Sequence, residues 1–195
     1  MRRAKPARLV LCVFAMAGAA AVGVGSQAVA AGDPAAKAEA IAAFQKLNTV
    51  PSYRIKWTSP EGVGVAEIVQ PDKRHFTGKG DKGSVEIFQI GADRAIRYDV
   101  PGMPSGWRCG KSQTISTYFD IDKMRSDTTV EAVRKPDTVI DGMPVHVYAN
   151  ANSGEELYVG AQTGLPRRYY SSDKRVTADF YDYGAPITIT PPPCG

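Results

Sequence analysis

The stretch VEIFQIGADRAIRYDV, Val85–Val100, reads as two strands with almost nothing between them. Val85 to Ile90 is a short run rich in β-branched and aromatic residues. After it, Ile96, Tyr98 and Val100 alternate with Arg97 and Asp99, the period-two pattern of a half-buried strand. The break is only Gly91-Ala92. Strands joined that tightly run antiparallel, because parallel neighbours need a crossover of a dozen residues or more.

Working outward, the same grammar recurs. Upstream, Tyr53, Ile55 and Trp57 alternate with Arg54, Lys56 and Thr58, and a valine-rich strand covers 62–70. Pro71-Asp72 closes it with turn chemistry, and 74–77 resumes a strand before a Gly-Lys-Gly-Asp-Lys-Gly loop at 78–83. Downstream, strands are predicted over 128–135, 144–149, 155–159, 166–171, 176–183 and 187–190. Asp141-Gly142, Asn152-Ser153-Gly154 and Thr163-Gly164 punctuate them. Two helices complete the reading. Asp33-Pro34 supplies an N-cap and a proline at the first helical position, and Ala40, Ile41, Phe44 and Leu47 recur at helical spacing until Asn48, Thr49 and Pro51. Ile115, Phe119 and Ile121 fit a second, short helix within 112–125. With no βαβ alternation, the expectation is an α+β, mainly β fold: a curled antiparallel sheet, or incomplete β-barrel, with the N-terminal helix and the short second helix covering an apolar cavity.

The first 30 residues stand apart. Arg2, Arg3, Lys5 and Arg8 precede an apolar run, and Ala28-Val29-Ala30 has the A-x-A form of a cleavage site, so 1–30 reads as a secretory signal peptide of the ordinary Sec type. Leu11 before Cys12 excludes a lipobox. Residues 31–195 read as one domain with no integral membrane span and a periplasmic or secreted address. The whole sequence has 24 Lys+Arg and 20 Asp+Glu, but four of those cations and none of the anions lie in the leader. The remainder is balanced at 20 of each, so the basic balance carries no nucleic-acid signal. Beyond the leader the only cysteines are Cys109 and Cys194, and in an oxidising compartment they are expected to pair.

Catalytic and metal motifs fail on inspection. Gly106 to Ser112 ends in Gly-Lys-Ser, yet only three residues separate its glycines where a phosphate loop needs four. Asp120, Asp122 and Glu131 have calcium-loop spacing, but Met124 occupies a ligand position and Arg125 replaces the turn glycine. His75 and His146 lack metal-ligand spacing. Glu155-Glu156 point to opposite faces of a strand. No enzyme, no metal and no cofactor are expected.

The pieces "LNTVPSYRIKWTS", "IVQPDKRHF", "VEIFQIGADRAIRYDVPG" with "GWRC", "VIDGMPVHVYA", "ELYVGAQTGLPRRYYSSD" and "DFYDYGAPITITPP", in this order, resemble the lipoprotein-carrier superfamily of LolA, LolB and related periplasmic proteins. Mycobacterial lipid-binding lipoproteins and the sensor domain of an envelope-stress regulator share that fold. The resemblance implies a half-barrel around a helix lid, an apolar cavity for lipid or lipoprotein acyl chains, and a closing strand in "YGAPITITPP". It also leaves open a sensor or protein-interaction domain of the same fold, with an envelope protein as partner. Period and size nominate the ligand-binding residues: Tyr53, Ile55 and Trp57 on one strand face, Ile96, Tyr98 and Val100 on another, and Val176, Ala178 and Phe180 on a third. Ile41, Phe44 and Leu47 of the helix would cover them.

Overall fold

The computed structural model describes residues 32–111 and 131–193. One helix, α1 (Pro34–Leu47), precedes eleven strands: β1 (Ser52–Ser59), β2 (Gly62–Val69), β3 (Lys73–Gly80), β4 (Gly83–Ile90), β5 (Asp93–Asp99), β6 (Trp107–Lys111), β7 (Ala132–Ile140), β8 (Met143–Asn150), β9 (Glu155–Gly160), β10 (Pro166–Ser171) and β11 (Val176–Tyr181). They form a single antiparallel sheet in the order β6-β5-β4-β3-β2-β1-β11-β10-β9-β8-β7. Two meanders, β1–β6 and β7–β11, are joined by one long-range pairing in which Ile55 faces Phe180 and Trp57 faces Ala178. The sheet stays open, with β6 and β7 at its edges.

The helix starts as its capping residues require. The Asp33 carboxylate accepts a hydrogen bond from the Ala35 amide at 2.8 Å and Pro34 takes the first turn. Its buried stripe is Ala36, Ala43, Phe44 and Leu47. Ile41 lies about 120° from the centre of that stripe at 3.6 residues per turn, and it is only half-buried. α1 packs against β7, β8, β9 and β10. Phe44 meets Phe180 edge-on at 6.5 Å, in a core that also holds Tyr53, Ile55, Tyr148, Leu157, Val159, Leu165 and Ala178.

Several expectations need correction. The glycine segment 78–83 is not a loop: β3 runs to Gly80 and β4 starts at Gly83, leaving Asp81-Lys82 as the turn. β7 does not stop at Lys135 but continues past Pro136 to Ile140, through a register shift between Lys135 and Thr138 on the edge of the sheet. Proline is tolerated there because an edge strand has one unpaired side and a bulge needs no ladder bond. Trp107–Lys111 forms a strand that the residue pattern does not signal. Residues 187–190 form no strand, so "YGAPITITPP" does not close the sheet; β1 already occupies the open side of β11. The expected second helix at 112–125 lies outside the described residues.

Candidate functional site

Antiparallel pairing puts partnered residues on the same face, so the registers sort every side chain of β1–β6. On the face that α1 covers elsewhere, three rows cross the strands. The first is Trp57–Gly64–Gly78–Val85–Tyr98. The second is Ile55–Ala66–Phe76–Ile87–Ile96–Arg108. The third is Tyr53–Ile68–Arg74–Gln89–Arg94–Gly110. We call this the helix face.

The helix covers only part of it. Fourteen residues make a helix about 21 Å long, whereas ten strand spacings extend about 48 Å. Tyr53, Ile55, Phe44, Leu47 and Phe180 are buried in the core beneath and beside α1. Ile96 and Tyr98 share the face of Ile55 and Trp57 but lie three to four strands beyond β1, where α1 makes no substantial contact. They are half-buried together with Ala66, Phe76, Val85 and Ile87. The sequence reading sets Ile41, Phe44 and Leu47 over Ile96 and Tyr98; the structure instead lays α1 against β7–β10 and leaves that pair uncovered by it. Val100 falls just past the end of β5, and Val176 and Ala178 continue the face on β11.

Trp57 is the seam between the two parts. A β-carbon at Gly64 would stand 2.1 Å from its Cζ2 atom, so the indole occupies the space that glycine leaves and reaches over β2. There it stacks on Phe76, centroids 4.2 Å apart and planes 13° from parallel. The result is an aromatic shelf that extends the core toward β3–β5.

The outer face carries the charges. Arg54 Nε donates to Glu67 Oε1 at 2.9 Å, while Glu67 Oε2 and Glu86 Oε1 stand 3.0 and 3.1 Å from the two ring nitrogens of His75. Arg97 Nη2 donates to Glu86 Oε2 at 2.6 Å, and its guanidinium lies over the Trp107 ring at 4.9 Å. This ladder spans β1 to β6, with Phe88 stacked on His75 and edge-on to Trp107. Burial pushes the Glu67 carboxyl up, but the hydrogen bonds from His75 and Arg54 outweigh it and hold the group below the usual carboxylate range. A groove of about 610 Å³ lies over β2–β5, lined by Lys56, Thr77, Lys79, Glu86 and Arg97 of this face together with Gly64, Gly78, Val85 and Tyr98 of the helix face, and bounded by Ser105 and Gly106. Its charged rim does not suit an acyl chain.

A second polar cluster fastens the helix. Tyr148 donates to Glu39 Oε2 at 2.7 Å, and Arg134 bonds Glu39 and Asp137 while lying over the Tyr148 ring. Burial, then the bond to Glu39 and its charge, push the Tyr148 hydroxyl up to about 12. His146 shares Asp137. Among the described residues no group of three His, Cys, Asp or Glu could hold a metal ion, and no helix is long and apolar enough to cross a membrane. Cys109 sits on β6; Cys194 lies outside the described residues.

Phe76, Ile87, Gly64 and the three arginines of the helix face were missed in the sequence. The Gly91-Ala92 break by itself sets Gln89 opposite Arg94, but Arg74 joins them only through the turn at Asp81-Lys82, which the residue pattern reads as part of a longer loop.

No protein-family model and no curated protein matches the sequence. Solved structures do. LprF from Mycobacterium bovis aligns with a TM-score of 0.59 at 14% identity, over 85% of this chain and 100% of that one. The Mycobacterium tuberculosis lipoprotein LppX aligns with a TM-score of 0.57 at 11% identity, over 81% of this chain and 100% of that one. At such identities the likeness is one of fold, and it agrees with the LolA/LolB-like resemblance read in the sequence.

Proposed function

We propose that this is an exported, non-catalytic protein that holds an acyl chain of a lipid or lipoprotein on the open half of the helix face. One observation carries the reading: Trp57, Ala66, Phe76, Ile87, Ile96 and Tyr98 form a continuous half-buried apolar surface that runs on from the core without a break. Contiguous apolar area of this kind marks a binding surface more often than solvent-facing wall. The fold shared with LprF and LppX supports it, as does the signal-peptide reading of residues 1–30.

The test is mass spectrometry of lipid extracted from the protein as isolated from its native envelope. Acyl chains in stoichiometric amount are the expected result. An empty protein that instead retains one protein partner would replace this reading with that of a sensor domain.

An oxidising address also implies the Cys109–Cys194 bond. Ser52 donates a hydrogen bond to the Ala185 carbonyl beside β1. From there the chain to Cys194 can extend about 30 Å, and the five spacings from β1 to β6 measure about 24 Å. Non-reducing mass spectrometry should find the two cysteines joined; two free thiols on folded protein would refute the pairing.

A further inference from the structure

The distribution of charge over β1–β6 is one-sided. Every carboxylate of these strands, Glu67, Glu86, Asp93 and Asp99, lies on the outer face. The helix face has none, yet it carries Arg74, Arg94 and Arg108. On the outer face, Arg54 and Arg97 are paired with carboxylates, as are Arg134 and Arg168 on β7 and β10. Arg74, Arg94 and Arg108 have no such partner among the described residues. Arg74 is also half-buried, and burial, only partly offset by Tyr53, pushes its guanidinium below the ordinary arginine range. A cation left in that state is relieved by an anion from outside the chain.

The three arginines stand together. Arg74, Gln89 and Arg94 are consecutive partners across β3, β4 and β5, so Arg74 and Arg94 are about 10 Å apart at the backbone with an amide between them. Arg108 is the diagonal neighbour of Arg94, about 7–8 Å away. The next row along the same strands is Phe76, Ile87 and Ile96.

We infer that the ligand of the open face is an amphiphile with an anionic head, whose carboxylate or phosphate sits between Arg74 and Arg94 beside Gln89 while its chain runs over Phe76, Ile87 and Ile96. This rests on the acyl-chain reading above and adds the chemistry of the head. Guanidinium matches either oxyanion through paired N–H donors; Gln89 Nε2 donates one N–H to the Gly91 carbonyl at 3.2 Å, and its second N–H is the further donor.

The experiment compares palmitate with hexadecanol, which has the same chain length and a neutral head, by titrating the delipidated exported chain and following tryptophan fluorescence. Palmitate should bind at least about tenfold more tightly, the scale of one charge-assisted hydrogen-bond pair. Arg74→Gln/Arg94→Gln should abolish that preference while leaving hexadecanol affinity within about twofold. Arg175→Gln, in the exposed turn before β11, should leave the preference intact. If the double variant is unfolded by circular dichroism, Arg94→Gln alone is judged by the same criterion. Equal affinity for both chains, or a preference that survives in the variant, overturns the inference and leaves acyl binding standing. Inorganic phosphate that binds the same arginines without a chain, and displaces palmitate at low concentration, also overturns it. Failure of both chains to bind folded protein overturns this inference together with the acyl-chain reading.

Discussion

The same face of one sheet has two fates. Over β8–β11 it is sealed: Tyr148, Leu157, Val159, Ala178 and Phe180 are all between 1% and 6% exposed beneath α1. Over β2–β5 the corresponding positions carry residues just as apolar, yet Phe76, Ile87, Ile96 and Tyr98 are only half-buried. Composition does not separate the halves; cover does. Where the helix lies, an apolar side chain works as core. Where it ends, the same kind of side chain is left facing outward, and the neighbouring row turns from apolar to arginine.

Substitutions at matched positions sharpen this contrast, and the largest effect belongs in the sealed half. Phe180→Ala removes a ring that is 1% exposed and packed against Phe44. It should cost about 3–5 kcal/mol in urea unfolding, with unaltered palmitate affinity in whatever fraction remains folded. A loss below about 1 kcal/mol would mean that this half is not the core.

Trp57→Ala strikes the seam. Because the indole is half-buried, the stability loss should be smaller, about 1–3 kcal/mol, and should come with weaker chain binding as the shelf over Gly64 and Phe76 disappears. A Phe180-like stability loss with unchanged affinity would make Trp57 plain core and would weaken the acyl-chain reading.

Tyr148→Phe loosens the helix from the sheet by deleting the bond to Glu39, at about 1 kcal/mol. The same pair sets an alkaline limit. With its folded value raised to about 12 from an ordinary 10, Tyr148 keeps its proton when the unfolded chain has lost it. Its contribution is therefore complete below pH 10 and disappears as pH rises from 10 to 12. Urea midpoints measured across that window should fall, and Tyr148→Phe should flatten part of the slope. An identical slope in the variant would remove Tyr148 from the account.

An equally small stability effect is expected in the open half. Ile96→Ala should cost about 1 kcal/mol in urea unfolding, well below Phe180→Ala, because its side chain is only half-buried. Chain affinity should nonetheless drop measurably in the palmitate titration. A stability loss as large as that of Phe180→Ala would show that something seals β5 as tightly as α1 seals β10.

Much of this architecture is local and was therefore legible in the residues. Asp33-Pro34 announces a helix because capping and a fixed proline φ act within one turn. Asp141-Gly142, both at positive φ, announces a hairpin because few residue types tolerate that conformation. Alternation at 53–58 and 95–100 announces strands, and short breaks between them dictate antiparallel order. What local chemistry cannot state is which distant partner a strand finds. The pairing of β1 with β11 joins residues more than a hundred positions apart. That pairing, together with the landing of α1, decides which of two equally apolar stripes becomes core. Neighbouring strands also overrode local preference by supplying hydrogen bonds: they carried β3 through Gly78 and Gly80, and β7 past Pro136. The candidate site follows the same division. Period two put Ile96, Tyr98 and Trp57 on faces, but only tertiary register put Arg74 beside Arg94, because a lateral row is a property of paired strands and not of any one of them.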